Sequence, residues 1–187
     1  MLKSIYRVDF DFDGETHPGT LERFKQDETE LSQYLLTRVS LNLPNGTILM
    51  IPDKDLVLQP WLVYWLESIK ASGYNRYIVL KMTHNITWRD RDGNARNSWC
   101  YFHGSGDSAL KETLKAAGAI YSEDDNSRFI VIPVNENIKK DDYLEVGEGK
   151  LREAYRVTGY DIHSTPGVEY ITLNPMYVKD KTPAPEP

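Results

Sequence analysis

The runs Tyr77-Ile-Val-Leu-Lys-Met-Thr-His-Asn-Ile-Thr-Trp88 and Asn97-Ser-Trp-Cys-Tyr-Phe-His103, with Asp90-Arg-Asp-Gly93 between them, decide the fold class. Asp-Gly between two runs rich in β-branched and aromatic residues is a short-range hairpin signal. A two-residue turn at Asp92-Gly93 sets Met82 opposite His103, His84 opposite Tyr101, Ile86 opposite Trp99 and Trp88 opposite Asn97. This register gathers aromatic rings on one face. Thr83, Asn85, Thr87 and Arg89 take the other face with Phe102, Cys100, Ser98 and Arg96.

Downstream, Gly104-Ser-Gly-Asp-Ser108 leads into a helix predicted over 109–117, capped by Ser105, Asp107 or Ser108 and stopped by Gly118. Strands are predicted at 119–121, 128–134, 142–146, 152–160 and 168–174. Asp124–Ser127 and Thr165-Pro-Gly167 provide turns.

Upstream, Tyr6, Val8, Phe10 and Phe12 alternate with Arg7, Asp9, Asp11 and Asp13, the period of a half-buried strand. Residues 14–30 read as a long loop. A second alternation, Val39, Leu41 and Leu43, runs through Pro44-Asn-Gly46 into a third strand at Ile48–Ile51, a second hairpin. Pro60 followed by Trp61, Leu62, Trp65, Leu66 and Ile69 has helical spacing and ends at Gly73, although the paired Trp and Val57-Leu58 also suit a strand edge. The expected fold is mainly β with one or two short helices (α+β) on a small β-barrel or sandwich core. Residues 1–73 form an N-terminal β/helix region, 74–178 the barrel or sandwich domain, and 179–187 a Pro-rich extended tail. No internal repeat is visible.

The 187 residues suit one domain or two small ones, and they carry 22 basic and 28 acidic side chains, a net charge of −6. That balance argues against coating nucleic-acid phosphates. Cys100 is the single cysteine, so no intrachain disulfide forms. No run approaches the 18 or so apolar residues of a membrane span, and Met1–Arg7 lacks the apolar segment of a secretion signal. Twelve tyrosines against five phenylalanines point to contact surface that is apolar but wet.

Asp9-Phe-Asp-Phe-Asp-Gly14 begins like a calcium loop, but the eighth and twelfth positions are Thr16 and Thr20, with Pro18 between them. A strand with an acidic solvent face is the plainer reading. Gly106-Asp-Ser-Ala-Leu110 resembles the block that carries the nucleophile of a Ser hydrolase. Its partner motif is one residue short at Asp161-Ile-His163, and a helix cap accounts for Ser108. Gly104 and Gly106 could cradle an anion, for which capping is again the economical account. His84 and His103 share a face without a third ligand; His17 and His163 stand in loops. Cys100 reads as a half-buried structural thiol. No catalytic, cofactor-binding or metal residue is assigned, and no cofactor is expected.

Ile138-Lys-Lys-Asp-Asp-Tyr-Leu-Glu145, Tyr155-Arg-Val-Thr-Gly-Tyr-Asp161 and Ser164-Thr-Pro-Gly-Val-Glu-Tyr-Ile-Thr-Leu173 resemble small virion proteins of tailed bacteriophages. These are the neck or head–tail connector (head closure) proteins of phages infecting Gram-positive bacteria. The Tyr77–Phe102 hairpin is similar to the one preceding these segments in such proteins, and the resemblance spans about 74–178. It implies a non-enzymatic structural protein in the virion, and in the host cytoplasm during assembly. Such a protein forms a ring by self-association and meets portal, adaptor or tail components through loops and added strands. It passes DNA without binding it specifically and has no membrane partner. The alternative is a monomeric β module for calcium or carbohydrate, using Asp9–Asp13 or the aromatic face around Trp99.

Overall fold

The computed structural model describes residues 5–23, 31–53, 55–70, 73–103, 128–134, 138–147, 152–161 and 165–176. Every regular element among them is a strand: β1 (Ile5–Phe12), β2 (Glu15–Arg23), β3 (Ser32–Arg38), β4 (Ile48–Pro52), β5 (Leu58–Lys70), β6 (Tyr74–Lys81), β7 (His84–Arg89), β8 (Ala95–His103), β9 (Arg128–Pro133), β10 (Tyr143–Val146), β11 (Glu153–Asp161) and β12 (Val168–Pro175). The helix predicted over 109–117, the strand at 119–121, the Asp124–Ser127 turn and the 179–187 tail lie outside the described residues.

These strands close into two antiparallel barrels, ordered β1-β2-β3-β6-β5-β4 and β10-β11-β12-β9-β8-β7. Read backwards from β7, the second order is first-second-third-sixth-fifth-fourth, the same as the first. Each barrel is therefore two three-stranded meanders, its third strand paired to its sixth and its first to its fourth. The likeness extends to the crossing connection between third and fourth strands, which buries Leu43 in one core and Ile138 in the other. A duplication of topology is present that the residue pattern does not display. Tyr74–Lys81, grouped with the second unit in the sequence reading, pairs with β3 and β5 of the first. The chain passes from the first barrel to the second through Met82 and Thr83.

Three apolar layers follow from strand alternation. Val8, Phe10, Leu21, Leu35, Leu49, Trp61, Val63, Tyr77 and Val79 fill the first barrel. Ile86, Trp88, Cys100, Ile130, Leu144, Tyr155, Val157 and Ile171 fill the second. The third layer lies between them: Leu62, Tyr64, Ile78 and Leu80 on the outside of β5 and β6 pack against Tyr101, Phe129, Val131 and Val168. β5 and β6 are thus buried on both faces, which explains their unbroken apolar runs.

That double burial corrects the helix expected at 60–72. Register shifts between Val63 and Trp65 and between Leu66 and Ser68 mark bulges in β5. Each bulge inserts a residue and resets the alternation. With both faces apolar, the set Trp61, Leu62, Trp65 and Leu66 imitates a helix, although Trp61 and Leu66 face one core and Leu62 and Trp65 the other layer. The loop expected at 14–30 is corrected in part, because Glu15–Arg23 is β2. Asp13 (φ 54°) and Gly14 (φ 78°) form the two-residue turn with both φ positive that a tight hairpin requires. The strand expected through Val39–Leu43 ends at Arg38, and β3 pairs with β2 and β6 rather than with β4. Residues 39–47 instead enter the barrel. Leu43 N–H donates to Tyr77 Oη at 3.0 Å, and the Tyr77 hydroxyl donates to Leu41 O at 3.1 Å. Asn45-Gly46 does turn the chain, with Gly46 N–H donating to Val63 O at 2.8 Å.

The β7–β8 hairpin exists, one residue out of the expected register: His84 faces Cys100, Ile86 faces Ser98 and Trp88 faces Arg96. Gly93 (φ 81°) follows the turn as a left-handed residue, so the loop has three residues instead of two. The slip moves Cys100 into the second core and turns Trp99 outward, which corrects both the aromatic face and the half-buried thiol.

Candidate functional site

The outer wall of the first barrel carries a groove over β1, β2 and β3. Arg7 stands opposite Thr20, which stands opposite Leu36; Asp9 faces Pro18, and Arg38 faces Tyr74. These side chains line a cavity of about 580 Å³, and Pro18 and Arg38 also border a second one of about 170 Å³ with His17 and Ser40. Among the described residues neither Arg7 nor Arg38 has a carboxylate within ion-pair distance, so two guanidiniums stand ready beside apolar side chains.

Across the barrel, the β4–β5 hairpin ends in a loop held by Asp53. Its carboxylate accepts N–H bonds from Asp55 at 2.9 Å and Val57 at 3.0 Å, and Gln59 Nε2 donates to it at 3.3 Å. The Val57 N–H first, then those of Asp55 and Gln59, hold the Asp53 carboxyl below its ordinary range against a smaller effect of burial. The Asp90 loop has the same design, accepting from Asp92 N–H at 3.0 Å and Asn94 N–H at 2.9 Å. In both loops the residue three after the Asp donates back to its carbonyl at 3.0 Å: Leu56 in one, Gly93 in the other. Leu56 thus sits at φ 61°, where the other loop has glycine, and is 83% exposed. Ile48, Met50, Val57 and Leu58 are exposed on the same hairpin.

A third feature closes one mouth of the second barrel. Arg128 Nη1 donates to Glu153 Oε2 at 2.8 Å, and it and the Tyr155 hydroxyl also make short contacts that join all three groups. Burial and the hydrogen bond to Glu153 push the Tyr155 phenol up to about 12. The Tyr155 hydroxyl in turn lowers the Glu153 carboxyl. Desolvation lowers His84, whose ring lies 5.1 Å from that of Phe102. The cluster leaves the phenol protonated and the carboxylate engaged, with the His84 imidazole close enough to Glu153 for the two to interact electrostatically. Burial raises the Cys100 thiol and removes it as a nucleophile.

The remaining sequence candidates separate. Asp9 and Asp11 lie on the exposed face of β1 and Asp13 in its turn, with Asp11 Oδ1 accepting from Thr16 Oγ1 at 2.6 Å. Among the described residues no three His, Cys, Asp or Glu gather as a metal site. The Gly104–Leu110 segment, including Ser108, and His163 fall outside the described residues; Asp161 ends β11. The groove escaped the sequence reading because β2 was taken as loop. Pro18 and Gly19, within the stretch expected to be loop, line the groove. Among the described residues no helix is long and apolar enough to cross a membrane.

The chain matches no protein-family model, no curated protein and no solved structure.

Proposed function

We propose that this chain is a non-enzymatic structural component of a tailed-bacteriophage virion, self-associating into a ring of the neck or head–tail connection. The observation that carries the self-association is the β4–β5 hairpin. It holds an exposed Leu56 in a left-handed backbone that glycine would adopt without strain, beside exposed Val57 and Leu58. Strain kept at an exposed apolar tip points to contact work. The resemblance of residues 74–178 to connector proteins supplies the setting, with portal, adaptor or tail proteins as further partners.

Barrel closure alters how such a subunit would assemble. Strand addition needs an open edge, and both sheets close on themselves. Closure is thinnest between β1 and β4, where Asp11 opposite Met50 is the pairing. Side chains and loops therefore carry the contacts. The net charge of −6 suits a wall past which DNA slides without sticking.

The test is mass spectrometry and cross-linking of purified phage particles from the host that carries this gene. A fixed copy number per particle, with cross-links to portal or tail proteins, is the expected result. Absence from particles sinks the virion reading.

A further inference from the structure

The hairpin tip and the groove occupy opposite sides of one barrel. In the closed order β1-β2-β3-β6-β5-β4, the groove is centred on β2 and β3 and the tip extends from β4 and β5, three places away around six strands. The second barrel packs against β5 and β6, reaching Tyr34 of β3, and its core layer includes no residue of β1 or β2. A tip therefore does not reach the groove of its own chain.

The two surfaces are complementary. The tip presents Leu56 with the exposed Asp55 beside it, while the Asp53 carboxylate is occupied in holding the turn. The groove presents Leu36, Pro18 and Tyr74 for an apolar side chain; of its charged lining, Arg7 and Arg38 outnumber Asp9, so the balance favours a carboxylate. We infer that the occupant of the groove is the β4–β5 hairpin of a second copy of this chain: Leu56 seats against Leu36 and Tyr74, and Asp55 pairs with Arg38 or Arg7.

This contact joins two different patches. Tip and groove lie on opposite sides of the barrel, so one two-fold partner does not engage both at once; the contact is heterologous, propagates head to tail and closes as a ring when the rotation permits. It rests on the self-association reading and names the surface that performs it. The ion pair adds attraction that salt weakens.

The test is sedimentation velocity of the full chain over a concentration series, with electron microscopy of the assembled fraction, for wild type, Leu56→Gly, Arg38→Glu and Asp55→Arg/Arg38→Glu. Leu56→Gly removes the knob and also relieves the left-handed strain, so its melting temperature should rise while association weakens by about tenfold or more. Arg38→Glu should weaken association comparably, and the charge swap should restore it. Misfolding cannot produce a more stable chain that assembles less. If wild type assembles and both single variants assemble equally well, this contact is overturned and the virion reading stands. A wild type that stays monomeric at every concentration overturns the contact as well. Absence from purified particles with the variant pattern intact overturns the virion reading and leaves the contact standing.

Discussion

Gly46 of the first barrel and Gly167 of the second meet backbone to backbone: a Cβ on Gly46 would lie 2.0 Å from the Gly167 carbonyl oxygen, and one on Gly167 would lie 2.3 Å from Asn45 O. Both residues also have positive φ, 86° and 87°. Gly46→Ala or Gly167→Ala must therefore strain the backbone and force the barrels apart. A loss of roughly 2–5 kcal/mol is expected in chemical denaturation. Gly93→Ala has the same backbone demand but open space around it, so about 1 kcal/mol is expected there. Equal costs at Gly46 and Gly93 would refute the inter-barrel contact.

Tyr155 should make the protein sensitive to alkali. Its folded value is raised to about 12 from 10.0 by burial and by the bond to Glu153. A raised value means the unfolded chain loses the proton first. The stabilisation is complete below pH 10 and disappears as pH climbs toward 12. Melting curves between pH 9 and pH 12 should show this decline, and Tyr155→Phe should flatten it.

Acid should act through the hairpin loops. In Asp90, partial desolvation raises the carboxyl, but the hydrogen bonds from Arg96 and Asn94 outweigh it and lower the net value, as the N–H bonds do in Asp53. Lowered carboxyls stabilise above their unfolded values and lose that contribution as pH falls through the folded ones. His84, lowered from 6.5 by burial, adds a loss that begins higher, as the unfolded imidazole takes a proton that the folded one resists. Thermal melts from pH 7 to pH 3 should fall in two stages. His84→Phe should remove the upper stage, and Asp90→Ala should lower the melting temperature at pH 7 while reducing the lower stage.

Cys100 is fully buried and its thiol is raised by desolvation, so it should not react with an exposed-thiol reagent in the native state. The labelling rate should track opening of the second barrel and rise steeply with denaturant. Cys100→Ser places a hydroxyl in that core at a cost of roughly 1–3 kcal/mol. Rapid native labelling would show that the β7–β8 register is not the one described.

β1 and β9 to β12 could be read directly, because Val8 and Phe10 alternate with acids, Phe129–Ile132 is a short apolar run and Asp-Asp or Pro-Gly marks the turns. The pattern misled where a long strand bulges or where a turn was read as loop. Trp61 to Leu66 looked helical because β5 bulges twice, and Gly14, expected to open a long loop, instead completes a two-residue hairpin turn with Asp13. The Asp92-Gly93 hairpin was visible, but its three-residue loop was not, and one residue moved Cys100 and Trp99 to opposite sides. The groove lies across β1, β2 and β3 and is completed by Tyr74 through the non-local β3–β6 pairing, so it was hidden while β2 was read as loop. The duplicated order is likewise invisible, since pairing order is held by two unlike sets of side chains.

Because each barrel is drawn from one continuous half of the chain, the molecule has a timetable as well as an architecture. β1 to β6 all leave the ribosome before β7 begins, so the first barrel can close while the second is still being made. Its outer layer of Leu62, Tyr64, Ile78 and Leu80 then stands in water until β8, β9 and β12 arrive. Since β12 comes last of the three, that wait lasts roughly 5–20 s at ordinary rates of synthesis. For that interval a nascent chain offers its neighbours on the same polysome a sticky face that the finished subunit conceals, and a chaperone binding there would have an early, brief target.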